Sequence, residues 1–177
     1  MVVEKILEAT ERLPDDWPCA GTTGYDALRL VDGLFIDSAG GDALAAEYER
    51  FARLAGSGPV PGRFVEVAQQ ARREVATGSL RADVTRLTTV LEDVCPQVSP
   101  ADARSVLTEV LACFGVYRAY VNAGEPPPPA SVSAVRDAVD AAGRRLPPRL
   151  HGLAAEVGAA VLGTRAEIGR ASCRERV

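Results

Sequence analysis

Glu4 is the residue in this 177-residue chain whose type and setting best suit chemistry. It lies in the run Val2-Val3-Glu4-Lys5-Ile6-Leu7, where charge interrupts a stretch of β-branched and aliphatic residues. Partial burial raises a carboxyl pKa toward neutrality, which suits a general acid that later acts as a base. The same periodicity fits an edge-strand or ion-pair residue, with Lys5 as its solvent-facing neighbour. A second group follows at Gly21-Thr22-Thr23-Gly24-Tyr25-Asp26. Tyr25 offers an aromatic face for stacking and a hydroxyl for hydrogen bonding, and Thr22, Thr23 and Asp26 add donors and acceptors. The alternative is a turn shaped by the two glycines and pinned by local bonds from Thr22 and Asp26. Trp17, between Asp16 and Pro18, is either a cover for a bound ligand or a packed loop anchor. Tyr117 and Arg118 read as a core residue and a structural ion-pair residue.

Several chemistries are excluded early. Cys19, Cys95, Cys113 and Cys173 show no CxxC spacing, and His151 is the single histidine, so a structural zinc site is not expected. The cysteines read as reduced thiols and His151 as a surface helix residue. Twenty basic residues against 24 acidic ones leave a net charge of −4, without the basic face that nucleic acid requires. No apolar run approaches the ~18–20 residues that span a bilayer, and no signal peptide opens the chain. The expectation is no nucleic-acid partner, no membrane and a cytoplasmic location.

These residues need elements to position them. Residues 2–7 read as a short buried strand. Residues 8–41 carry seven glycines and prolines and read as a long functional loop with short helical turns. Helical stripes follow: Leu44, Tyr48, Phe51 and Ala55; then Phe64, Val67, Ala68, Ala71 and Val75; then Leu80, Val84, Leu87, Leu91 and Val94. Ser99-Pro100-Ala101-Asp102 reads as an N-cap with proline at the first helical position, opening a helix lined by Val106, Leu107, Val110, Leu111 and Phe114. Val116–Val121 reads as a strand, Pro126–Pro129 as an extended linker, and two helices follow near 133–144 and 147–162. Two strands do not make a stable sheet by themselves.

The stretch VVEKILEATERLPDDWPCAGTTGYDALRLVDGLFID, residues 2–37, resembles the maltooligosyltrehalose synthases, members of the α-amylase superfamily of retaining glycosidases. Weaker resemblance runs on through FVEVAQQARREV and VYRAYV to RLPPRLHGLA, near residue 163. The family often has Pro-Gly-Glu where this chain has Ala9-Thr10-Glu11, and Asn where it has Asp32. The resemblance implies that Glu4 is the acid/base carboxyl, and that Thr22, Thr23, Tyr25, Asp26 and Lys5 bind a maltooligosaccharide substrate. No metal or organic cofactor is implied. It also implies an α/β fold: a partial (β/α)8 barrel, about one catalytic strand and its loop, with a mainly α-helical insertion. The expected divisions are 1–41, barrel strand and active-site loop; 42–114, helical insertion; 115–125, returning strand; and 126–166, proline-rich linker and helices. The last residues, 167–177, resemble translated sequencing adapter and are expected to be non-native.

The family's nucleophilic aspartate, in a motif like Arg-Ile-Asp-His, and its third carboxylate after a histidine have no match here. A retaining mechanism needs two carboxylates roughly 5–5.5 Å apart. The expectation is an internal fragment of an isomerase that turns the reducing-end α-1,4 link of maltooligosaccharides into an α,α-1,1 link, inactive alone. The alternatives are another retaining α-glucan enzyme, such as a hydrolase, and a non-catalytic helical interaction module.

Overall fold

The computed structural model describes residues 1–8, 11–57 and 64–164. The expected tail, 167–177, lies outside them. The chain divides into two compact units, Met1–Glu66 and Val67–Val177.

In the first unit, α1 spans Tyr25–Gly33 and α2 spans Gly41–Leu54, with a 3-10 turn at Ser38–Gly40 between them. Gly24 precedes α1 at φ 88°, in the left-handed region where a side chain is strained. Asp37 opens the 3-10 turn by accepting a hydrogen bond from the Ala39 N–H at 2.9 Å.

The second unit is a helical bundle. α3 (Phe64–Thr77) enters it, and α4 (Arg81–Val94), α5 (Pro100–Cys113), α6 (Pro129–Gly143) and α7 (His151–Val161) complete it. Helix α5 packs against α4, α6 and α7, so it is buried on most of its circumference. Ala103, Val106, Leu107 and Val110 follow the i, i+3, i+4, i+7 spacing and meet Leu91, Ala142, Leu146, Leu150, Ala154 and Val157 in one core. Ser99 caps α5 by accepting from the Asp102 N–H at 3.1 Å, and Pro100 begins the helix, where no N–H partner is needed. Gly158 brings α7 close to α6: a Cβ there would lie 2.9 Å from Val139 Cγ2. Arg149 reaches from the 3-10 turn Pro148–Leu150 to Asp102 at 2.7 Å.

The expected α/β class and partial (β/α)8 barrel are overturned. The described residues are helices and loops, with one isolated parallel bridge, Val3 to Thr22, in place of strands. A strand persists only where a neighbour repeats the ladder, and residues 2–7 meet a partner at one position. Nor are residues 2–7 buried throughout: Val2 and Ile6 are exposed. Val116–Val121 forms no strand either. The buried Ser131 hydroxyl accepts from the Tyr120 N–H at 3.1 Å and donates to the Tyr120 C=O at 3.3 Å, standing in for a partner strand. Tyr117, expected in the core, is 88% exposed, and Arg118, expected in an ion pair, lies over the Tyr120 ring at 5.6 Å and forms no ion pair among the described residues. Helix α1 lies inside the stretch expected to be mostly loop.

Candidate functional site

Two backbone segments join the motifs singled out in the sequence. The Val3 N–H donates to the Gly21 C=O at 3.0 Å, and the Ala20 N–H donates to the Met1 C=O at 2.8 Å. These bonds lay residues 1–3 beside 20–22 and close the Val3–Thr22 bridge. Gly21 takes φ 139°, which a residue with a side chain adopts only under strain.

Exposure along the first segment alternates residue by residue, the period of an extended chain. Val3 and Leu7 are half-buried and Lys5 is buried, while Val2, Glu4, Ile6 and Glu8 are exposed. Glu4 and Thr23 each follow a bridge residue, and both are exposed. Tyr25 and Asp26 form the first turn of α1, Tyr25 exposed and Asp26 half-buried. Thus Glu4, Thr22 and Thr23 are drawn together, and Tyr25 and Asp26 follow within one turn.

Lys5 faces the other way. Its ammonium lies 2.8 Å from Glu11 Oε1, with the two side chains 7% and 12% exposed. The contact is an ion pair without the alignment of a hydrogen bond. The other Glu11 oxygen accepts from the Glu8 N–H at 3.2 Å, and the Glu11 N–H donates to the Glu8 C=O at 2.8 Å. Glu11 is a member of this constellation that the sequence did not single out. The available signal was its place near the single lysine.

Trp17 is half-buried, its backbone N–H donating to the Pro14 C=O at 3.2 Å. His151 begins α7, its Nε2 3.1 Å from the Leu146 C=O. No group of three or more His, Cys, Asp or Glu suited to a metal occurs among the described residues. None of their helices is long and apolar enough to cross a membrane.

No protein-family model matches the chain. Two Mycobacterium tuberculosis proteins, from strains CDC 1551 / Oshkosh and H37Rv, are named maltooligosyl trehalose synthase and are 45% identical over 49 residues. That stretch is 28% of this chain and 6% of each relative. The solved structure of a point mutant of maltooligosyltrehalose synthase from Arthrobacter ramosus is similar along 95% of this chain. It has 33% identity and a TM-score of 0.73, and the match covers 20% of that enzyme. The chain therefore spans about a fifth of the solved enzyme. Sequence and structure agree on one likeness: this chain is similar to the maltooligosyltrehalose synthases, over about a fifth of the solved enzyme's length.

Proposed function

We propose that this chain supplies the acid/base carboxyl and part of the sugar-binding loop of an isomerase acting on maltooligosaccharides. The observation that carries the reading is the similarity to a solved synthase along 95% of the chain. The bridge between Val3 and Thr22 supports it by setting the acidic motif beside the GTTGYD loop.

In this reading the Glu4 carboxyl donates its proton to the glycosidic oxygen of the reducing-end α-1,4 link, and that bond breaks. The glycosyl group passes to an aspartate carboxylate that this chain does not contain, as the resemblance implies. The released glucose turns within the site. Its anomeric hydroxyl attacks the glycosyl carbon, the bond to aspartate breaks, and the Glu4 carboxylate takes the hydroxyl proton. Atoms balance without water, and excluding water separates isomerisation from hydrolysis. Thr22, Thr23, Tyr25 and Asp26 contact the sugar. Lys5, held by Glu11 on the opposite face, acts on sugar binding through the segment that carries Glu4.

The test is conversion of maltopentaose, followed as loss of reducing ends without release of glucose. The chain alone is expected to convert none. The longer protein translated from the reading frame extended on both sides is expected to convert it, and its Glu4→Gln variant to lose at least about a hundredfold in rate. Full activity in Glu4→Gln would end the reading. Release of glucose in place of the non-reducing product would favour the hydrolase.

A further inference from the structure

The buried lysine has no part in the proton transfers, but its surroundings give it a structural role. Lys5 is the single lysine of the chain, and it is buried to 8% exposure. An ammonium leaves water at a tolerable cost only where a carboxylate meets it. Glu11 does so at 2.8 Å, and this pair is less exposed than the others described, including Arg73–Glu109 at 17% and 18%. Glu11 is itself held by the reciprocal bonds with Glu8. Successive side chains of an extended segment face opposite sides. Fixing Lys5 inward therefore fixes Glu4 outward.

We propose that Glu11 is a positioning residue: by capturing Lys5 on the inner face, it holds Glu4 on the outer face beside Thr23. The inference rests on the reading of Glu4 as the acid/base. Glu11 acts through Lys5 and touches no substrate.

The full 177-residue chain allows a direct test because it has one lysine side chain. Acetic anhydride labelling of Lys5, read by mass spectrometry, is expected to run at least about tenfold slower in the native chain than in urea. Glu11→Gln is expected to remove most of that protection. In chains carrying 13C at glutamate carboxyls, the Glu4 signal is assigned by its loss in Glu4→Gln. That signal is expected to move in Glu11→Gln. It is expected to return toward its original position when Lys5→Glu is combined with Glu11→Lys, a rescue that packing alone does not give. Lys5→Met, which keeps an apolar stem without the charge, is expected to displace the Glu4 signal too.

Lys5 labelling equally fast in the native chain and in urea overturns the pairing. A Glu4 signal unmoved in both Glu11→Gln and Lys5→Met overturns the positioning. Neither readout uses a sugar, so a failed maltopentaose conversion remains distinguishable from a failed proposal.

Discussion

Cys113 shows how one side chain couples this fold to pH. The thiol is buried in the core of the second unit, and burial pushes its pKa up, with Glu109 adding to the rise. Arg73, Arg145 and Arg144 act in the opposite sense. Arg73 is itself gripped by Glu109, Nε to Oε1 at 2.6 Å and a terminal nitrogen to Oε2 at 3.0 Å, which keeps its guanidinium protonated. The folded chain therefore holds the Cys113 proton to higher pH than the unfolded chain does. Below the ordinary thiol pKa, about 8.5, both states are protonated and stability is unaffected. As pH rises from there through the folded value, the unfolded chain loses its proton first and stability falls. Urea midpoints measured from pH 7 to 10 are expected to fall more steeply for the native sequence than for Cys113→Ala. Parallel slopes would remove Cys113 as the cause. The sequence made the reduced thiol legible but not its neighbours, because Arg73, Glu109 and Arg145 are far apart along the chain. Glu11 was hidden for a different reason, since it lies only six residues from Lys5. A lysine in an apolar run reads as exposed because lysines rarely are buried, and only a partner on the same face reverses that.

Helices whose apolar residues repeat every three or four positions were legible, and α2 to α5 correspond to stripes in the sequence, although those of α2 and α3 prove largely exposed. The start of α5 was legible to the residue, since Ser99 followed by Pro100 is a local signal that needs no tertiary partner. Replacing Ser99 with alanine removes the bond to the Asp102 N–H and is expected to cost about 1 kcal/mol. The same change leaves Asp102 with Arg149 as its remaining side-chain partner, weakening what holds its carboxyl below the usual range. A urea midpoint unchanged in Ser99→Ala would mean that the cap carries no stability. Helix α1 was hidden among glycines, two of which prove to be its edges: Gly24 precedes it and Gly33 ends it. Breakers at a helix's ends and breakers within a loop look alike until the chain is folded. Val116–Val121 failed for the opposite reason. Its β-branched and aromatic residues suit a strand, but Ser131 satisfies the Tyr120 backbone locally, so propensity found no ladder to join.

At the scale of the molecule, the two units differ in how much they bury. In Met1–Glu66, the described residues that are buried are Lys5 and Ala52. Leu28, Leu34, Phe35, Ile36, Leu44, Phe51 and Leu54 of that unit are exposed, Phe35 to 85%. In the second unit, Ala103, Val106, Ala112 and Ala142 are fully shielded. Amide opening follows the buried contacts that must be broken, so the two units should exchange hydrogen at different rates. Hydrogen exchange followed by mass spectrometry is expected to protect α5 to α7 at least about a hundredfold more than α1 and α2. This contrast also explains why the α/β expectation failed as a description of this chain. The resemblance implied a barrel, and a barrel strand is defined by neighbours on both sides, whereas Val3 has Thr22 alone. The bundle needs no such supplement, because α4 to α7 supply each other's apolar faces. If α1 and α2 exchange as slowly as α5, the exposed leucines and phenylalanines must be covered in solution, and self-association of the chain is then the first thing to measure. If they exchange fast while α5 stays protected, the bundle is the unit that folds from its own residues, and the segment carrying Glu4 takes its local order chiefly from the Lys5–Glu11 pair and the bridge to Thr22.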